Sequence, residues 1–294
     1  VAALTVQASG AWYAGTDGGV FRSTDFGAQW TLTALTNRHV AALAGAGVDL
    51  VAATAGHGVY HSSDAGTTWN PAGTGLPDPN AWALAMRPSG GVFAGTSTGV
   101  TRLASFGGTW EALASFPANT GVVSMLVDHT GFVYAGTLSS GVQRSPDDGA
   151  TWTAVNTGLG SQRVLSLAED QAGRLFAGTM ANGVYRSLDQ GDTWQQLPGT
   201  GGYVAALAVD AGDRVFAAVR GQAVLRSLDH GDSWAMLGAN LAGNEVIALA
   251  VDPSHRIVAG TDHHGVYRSG LPTSDAELAR SGTEHHPPTS EMVE

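Results

Sequence analysis

The apolar positions along the chain fall in short runs that alternate with turn residues at close, regular spacing. One stretch shows the unit. Residues 164–168 predict a short apolar strand, 170–173 a turn, 174–179 a second strand, and 180–183 a tight hairpin loop. Residues 183–187 predict a third strand and 194–197 a fourth. Short runs rich in Val, Leu, Phe and Tyr, bounded by Gly, Asp and Asn, are what antiparallel hairpins require. Four of them in succession predict one small four-stranded sheet, and its repetition predicts that such sheets pack side by side.

An octapeptide of the form S-x-D-x-G-x-x-W ends the third strand and sets the period. Full copies span 23–30, 62–69, 145–152, 187–194 and 227–234. A damaged copy spans 103–110, with Leu103 and Ser105 in place of the Ser and Asp. The six tryptophans, Trp30, Trp69, Trp110, Trp152, Trp194 and Trp234, are 39, 41, 42, 42 and 40 residues apart. A period near 40 with four strands per unit is that of a propeller blade.

The end of the second strand counts the blades. It reads Ala-Gly-Thr at 14–16, 94–96, 135–137, 177–179 and 259–261, Ala-Ala-Thr at 52–54 and Ala-Ala-Val at 217–219, seven in all. The expected architecture is therefore all-β: a seven-bladed β-propeller of four-stranded antiparallel blades, one domain over residues 1–269. The seventh unit offers strands near 246–249, 256–261 and 265–269, then lacks the octapeptide and the fourth strand. Either residues preceding Val1 in a longer parent or residues 270–280 are expected to fill that place. The polar, Pro-containing stretch 270–294 is expected to be a disordered tail.

The octapeptide looks chemical, but its repetition argues for structure. Asp25, Asp64, Asp147, Asp189 and Asp229 can each accept hydrogen bonds from their own turn, as Asx-type turns do. The Gly permits positive φ, and the Trp can pack between blades. One active site has no use for five equivalent aspartates spread round a ring. The same holds for Arg22, Arg102, Arg144, Arg186, Arg226 and Arg268, which share one repeat position, with His61 in their place in blade two.

The octapeptide resembles the Asp-box of bacterial neuraminidase (BNR) repeats, over essentially residues 1–269. Similar repeats occur in sialidases, xyloglucanase-type glycoside hydrolases and photosystem II assembly-factor-like propellers. The resemblance implies a propeller whose ligands sit at the mouth of the central channel, on the face carrying the blade-to-blade loops. It implies no particular activity, because enzymes and non-enzymes share the repeat.

Strand alternation places the octapeptides and first-to-second turns on one face. The second-to-third hairpins and the blade-to-blade loops share the other. The residues entering the innermost strands there are His39, Asn80, Gly121, Arg163, Tyr203 and Glu245, and they vary from blade to blade. Asn37, Arg38, Asp78, Trp82, Asn119 and Asn244 lie in the same loops, and the hairpins add Asp17, His57, Asn182, Arg220, Asp262, His263 and His264. Of these, His39, Asn80, Arg163, Tyr203, Arg220, Glu245 and Asp262 are the expected binding residues.

A glycosidase would draw on Asp78, Tyr203 and Glu245. The resemblance to sialidases implies three arginines, a Tyr nucleophile with a Glu, and an Asp acid/base. Arg38, Arg163, Arg220, Tyr203, Glu245 and Asp78 supply the inventory, but their order departs from that family and its Arg-Ile-Pro signature is absent. A xyloglucanase-like site needs two carboxylates and aromatic platforms. Asp17, Asp78, Glu245 and Asp262 are available, but Trp12 and Trp82 align with strand positions and are expected in the core, which leaves Tyr203. From each octapeptide Trp to the Leu or Met of the next innermost strand is 13 or 15 residues, so no connection carries an insertion able to roof a pocket. These observations favour a non-catalytic binding or scaffold module for a protein or carbohydrate partner, with a secreted glycoside hydrolase as the alternative.

Composition narrows the partners. The formal net charge is −11, with 14 arginines and no lysine. That argues against nucleic acid and anionic membranes and removes lysine chemistry. With no cysteine, disulfides, thiol nucleophiles and Cys-based zinc sites are excluded. No apolar run reaches the ~18 residues of a membrane helix. His39 and His57 belong to blade two and His263 and His264 to blade seven, with blade one between them, so no metal or other cofactor is expected. A secreted or periplasmic monomer is expected, though no signal peptide is visible in the chain.

Overall fold

A computed structural model of the chain describes residues 1–269 apart from 88–89, 238–240 and 242–244. The predicted tail 270–294 and Asn244 lie outside the described residues. The strands gather into seven antiparallel sheets. Blade one comprises β1 (Ala3–Val6), β2 (Trp12–Thr16), β3 (Gly19–Ser23) and β4 (Thr31–Thr36). Blade two comprises β5 (Val40–Ala46), β6 (Asp49–Thr54), β7 (Gly58–Ser62) and β8 (Asn70–Pro71). Blade three is built from β9 (Ala81–Met86), β10 (Val92–Thr96), β11 (Val100–Leu103) and β12 (Trp110–Ala112), and blade four from β13 (Val122–Val127), β14 (Val133–Thr137), β15 (Val142–Ser145) and β16 (Thr153–Ala154). In blade five they are β17 (Val164–Glu169), β18 (Leu175–Thr179), β19 (Val184–Ser187) and β20 (Gln195–Gln196). Blade six has β21 (Val204–Val209), β22 (Val215–Val219), β23 (Ala223–Ser227) and β24 (Ala235–Leu237). Among the described residues blade seven has three strands, β25 (Val246–Val251), β26 (Ile257–Thr261) and β27 (Val266–Arg268).

Each innermost strand packs against the next, from β1 through β25, and β25 packs back on β1. The chain is thus a closed seven-bladed propeller. The hydrophobic clusters lie between blades, each drawing residues from two neighbours: Phe93 of blade three packs with Val122 and Val133 of blade four, and Phe176 of blade five with Val204 and Val215 of blade six. Because both faces of a blade are covered, the second strand is buried at every position in six blades and at every position but Asp49 in blade two.

This explains the small residue in the repeated Ala-Gly-Thr. A Cβ at Gly15 would sit 2.7 Å from Val40 Cγ1, one at Gly95 2.5 Å from Val122 Cγ1, and one at Gly178 2.7 Å from Val204 Cγ1. At these three boundaries the first Val of the innermost strand lies against the Gly of the preceding blade, closer than a Cβ there would tolerate. In blade two Ala53 takes the Gly position, and its counterpart in blade three is Ala81 rather than Val.

At the ring closure the seventh blade has three described strands, in line with the incomplete last unit of the sequence. Blade one holds four strands of its own, and blade seven meets it by direct packing rather than through a shared strand. The Val1 nitrogen donates to the Thr261 carbonyl at 2.9 Å, and Arg268 donates to the Phe26 carbonyl. Residues 270–280, one expected source of a fourth strand, lie outside the described residues.

Candidate functional site at the channel mouth

Two sets of backbone hydrogen bonds sort the loops between faces. The hairpins bond to blade-to-blade loops: Asn37 N to Gly18 O at 2.9 Å, Gly58 N to Pro79 O at 2.9 Å, and Gly183 N to Gly202 O at 3.0 Å. On the opposite face Arg174 of a first-to-second turn reaches His230 in the octapeptide of the next blade at 2.7 Å.

The octapeptides are closed structural units. Ser187 Oγ donates to Asp189 Oδ1 at 2.8 Å and accepts from Gly191 N at 2.8 Å, while Asp189 Oδ1 accepts from Thr193 N at 2.9 Å. The same three bonds recur at Ser23, Ser62, Ser145 and Ser227. At Asp64 and Asp229 hydrogen bonds from Thr68 and Ser233, followed by those from Ser62 and Ser227, lower the carboxyl pKa to about 2. A group held ionised in this way is an acceptor, not an acid. Sequence reading missed one feature here: the fourth residue of the full copies, Phe26, Ala65, Asp148, Gln190 and His230, is left-handed, with φ of 55–60°. Trp110 and Trp194 are buried, whereas Trp30, Trp69, Trp152 and Trp234 are half-buried.

At the mouth, the residue after the second strand donates its N–H to the carbonyl of the residue before the first. The pairs are Ala55–His39 at 3.0 Å, Leu138–Gly121 at 2.9 Å, Met180–Arg163 at 3.0 Å, Arg220–Tyr203 at 2.9 Å and Asp262–Glu245 at 3.0 Å. His39, Arg163, Tyr203 and Glu245 therefore stand at equivalent points of one rim.

Blades six and seven give that rim a charged arc. The Arg220 guanidinium lies over the Tyr203 ring, 5.1 Å from its centroid, and pairs with Glu245 at 2.8 Å. The hydrogen bond and charge of Glu245 raise the Arg220 pKa. The Arg220 side chain is 60% exposed, so the cluster faces solvent. Asp262 adjoins it and pairs with His263 at 3.1 Å, and His39 pairs with Asp17 farther round.

Blades three to five give an apolar arc. Trp82, expected in the core, is half-buried instead, as are Leu165 and Ile247 at the same position of their innermost strands, and it lies beside Gly121 at this rim. A Cβ on Gly121 would lie 3.3 Å from both the Trp82 ring and Leu138. Leu138 and Met180 are each 38% exposed, and Arg163 Nη1 lies 3.2 Å from Met180 Sδ. Trp12, by contrast, is core at 1% exposure, and Phe116 packs edge-on against Trp152.

Asp78 has a different task from the rim carboxylates. It is 9% exposed and accepts from Asn80 N at 2.9 Å, Asn80 Nδ2 at 3.2 Å and Ser97 Oγ at 2.5 Å. Burial alone would raise its pKa, but the bonds from Ser97 and Asn80 outweigh it and hold the group below the ordinary carboxyl value.

The structure thus brings Tyr203, Arg220, Glu245 and Asp262 together. Asp78 and Asn80 form a separate pair on the blade-three side, away from Tyr203 and Glu245. Sequence reading missed Ser97, Leu138 and Met180. The signal was present in the register: the residue after the repeated Ala-Gly-Thr runs Asp17, Ala55, Ser97, Leu138, Met180, Arg220, Asp262, which varies as a rim should. Among the described residues no group of three or more His, Asp or Glu is placed to hold a metal ion.

Comparison with known proteins agrees with the architecture. The family model described as the DUF6242 beta propeller domain matches residues 2–91. No curated protein matches the sequence. Among solved structures, the GH74 xyloglucanase from Xanthomonas campestris is similar with a TM-score of 0.77 at 20% identity, over 93% of this chain and 52% of that one. A GH74 enzyme of Niastella koreensis is similar with a TM-score of 0.77 at 17% identity, over 94% of this chain and 53% of that one. The chain therefore spans about half the length of these enzymes. YCF48 bound to D1 peptide is similar with a TM-score of 0.71 at 16% identity, over 90% of this chain and 91% of that one. At these identities the likeness shows the fold alone, and the fold is that of a seven-bladed β-propeller.

Proposed function

We propose that the chain is a non-catalytic binding or scaffold propeller that holds a protein or glycan partner on its blade-to-blade-loop face. The observation that carries this is the two-part rim: an exposed Arg220–Glu245–Tyr203 cluster on one side, and Trp82, Leu138 and Met180 on the other. A partner segment with both apolar and charged groups matches such a rim, and binding surfaces are enriched in Tyr, Trp, Met and Arg. YCF48, whose solved complex holds a peptide, has the same fold over nearly its whole length, which supports a protein partner. A similar extracellular domain of a two-component system and the xyloglucanases support a secreted or periplasmic setting.

The second reading is a glycoside hydrolase. Trp82 favours it, since it adds to Tyr203 a second ring at the mouth, on the blade-three side, on which sugars stack. The carboxylates weigh against it. Asp78 is ionised and spent on its own loop, and Glu245 is paired with Arg220, whereas a general acid must keep its proton near neutral pH.

The test is a glycan array and a pull-down with the full chain, repeated with Arg163→Ala, Glu245→Ala and Trp82→Ala. Binding lost in these variants supports the rim, and binding unchanged in all three removes it. A fluorogenic glycoside panel that includes a sialoside runs alongside. Turnover abolished by Tyr203→Phe or Asp78→Asn would replace the scaffold reading with the enzyme.

A further inference from the structure

The boundary between blades one and two is built differently from those that follow blades three, four and five. In blades three, four and five the third-strand arginine reaches into the next blade's octapeptide: Arg102 to the Asp148 carbonyl and carboxylate at 3.0 Å, Arg144 to Gln190 O and Asp192 at 2.8 Å, Arg186 to His230 O and Asp232 at 2.9 Å. Arg268 of blade seven reaches Phe26 O in the same way. Arg22 holds this position in blade one, but the octapeptide facing it carries Ala65 and Thr67 where those carboxylates stand. The Ala65 carbonyl accepts from Tyr13 Oη at 3.0 Å instead. Among the described residues Arg22 has a hydrogen-bond partner in Tyr13 but no ion pair.

A cleft of about 410 Å³ opens at this place, lined by Arg22, Gln29, Thr31, Leu32, Thr33 and Thr67 among others. Asp25 also borders it, but its Oδ1 is taken by Ser23 Oγ at 2.8 Å and Gln29 N at 2.9 Å. Arg22 is the one cation of the lining.

The strand on the cleft's rim is also exceptional. The other described fourth strands have two or three residues, but β4 has six. It is the terminal strand of its sheet, its sequence Thr-Leu-Thr-Ala-Leu-Thr has neither charge nor proline, and Leu32 is 42% exposed. Natural edges are normally short, charged or broken by proline, since an open edge invites another strand.

We propose that β4 and the Arg22 cleft form a docking site for an extended peptide segment that carries a carboxylate. The segment pairs along the β4 edge as a fifth strand, and an Asp or Glu side chain turns into the cleft to meet Arg22. Main-chain pairing supplies affinity and the side-chain pocket supplies specificity, as in other cases of strand addition. A charge-assisted Arg–carboxylate bond is the contact this boundary lacks and the boundaries after blades three, four and five have. The site lies on the rim of blade one, away from the channel mouth, and stands independently of the function proposed for the mouth.

The test is selection of displayed random peptides of about eight residues, strand length, against the full chain, followed by affinity measurement on a synthetic selected peptide. The selected peptides are expected to share one Asp or Glu flanked by β-branched residues. Changing that residue to its amide should weaken binding about tenfold for the parent chain and less than about twofold for Arg22→Gln. Hydrogen exchange should slow at residues 31–34 on binding, and Ala34→Pro should abolish binding while leaving Arg22 in place. An absence of enrichment, no acidic preference, or a preference that survives Arg22→Gln overturns the proposal. So does a β4-mediated dimer in sedimentation, which would make a second copy the occupant. If Arg22→Gln does not fold, Thr67→Asp supplies the missing carboxylate internally and must remove the acidic preference.

Discussion

The Arg268 guanidinium donates to the backbone carbonyl of Phe26, joining the last described strand of the ring to the first octapeptide. The positive φ of Phe26 directs that carbonyl, and the same left-handed residue serves Arg144 and Arg186 at their boundaries. Blade seven has three described strands, and this contact joins it to blade one beside the Val1–Thr261 hydrogen bond and the packing of β25 and β26 on β1. Arg268→Ala should cost about 1–3 kcal/mol, the range for a hydrogen bond to a charged group. Arg22→Ala, at a boundary without the contact, should cost less than half as much. Urea midpoints of the two variants decide the matter, and equal losses would show that the arginine row has no stapling role.

Gly15 and Val40 give a test of the close approach between blades. A Cβ on Gly15 would lie 2.7 Å from Val40 Cγ1, so Gly15→Ala forces the blades apart and should cost about 1–3 kcal/mol. Val40→Ala alone leaves a void and should cost about 1–2 kcal/mol. Together they reproduce the Ala53–Ala81 pairing that the chain already uses one blade on. The double variant should therefore be more stable than the sum of the single losses predicts, by about 1 kcal/mol in a double-mutant cycle. Strict additivity would mean that the two residues do not press on each other.

Much of this was legible in the sequence because a repeat states each constraint several times. The octapeptide and the Ala-Gly-Thr ends set the number of blades and the face of every loop. What escaped was whatever depends on a pair from different blades. Trp82 shares its repeat position with Ile247, and both are half-buried, but the contact of its ring with Gly121 and the neighbourhood of Leu138 come from the next blade. Arg22 shares its position with Arg144, and only Thr67 in the next blade sets it apart. Tyr203, Arg220 and Glu245 could be placed on one rim, but their contact rests on rotamers that no spacing encodes.

The octapeptide aspartates should make the fold sensitive to acid. Their carboxyl groups titrate below the ordinary value in the folded chain, at about 2 for Asp64 and Asp229. A lowered folded pKa means that the stabilisation is complete above the unfolded carboxyl pKa of ~3.9 and is lost as pH falls through the folded value. Stability should therefore hold down to about pH 4 and decline between about pH 4 and 2. Asp229→Asn should make that decline shallower while lowering stability at neutral pH. Urea midpoints across this range, for the parent and the variant, provide the check. Parallel curves would mean that Asp229 does not contribute to the acid response.

Asp78 is the carboxylate whose role is easiest to mistake, since it lies near the mouth and belongs to the inventory of a glycosidase. Its contacts describe a clamp: one oxygen holds Asn80 and the other holds Ser97, which ties the blade-three loop to its hairpin. Asp78→Ala would leave the Ser97 hydroxyl and the Asn80 N–H without their acceptor, at a cost of about 1–3 kcal/mol. Ser97→Ala removes one donor and should cost about 0.5–1.5 kcal/mol. Because both changes break the same bond, the double variant should lose less than the sum. A residue kept only for chemistry behaves differently, since its removal leaves stability unchanged or improves it. An Asp78→Ala chain that unfolds at the parent's urea concentration would therefore end the clamp assignment and return Asp78 to the list of reactive carboxylates.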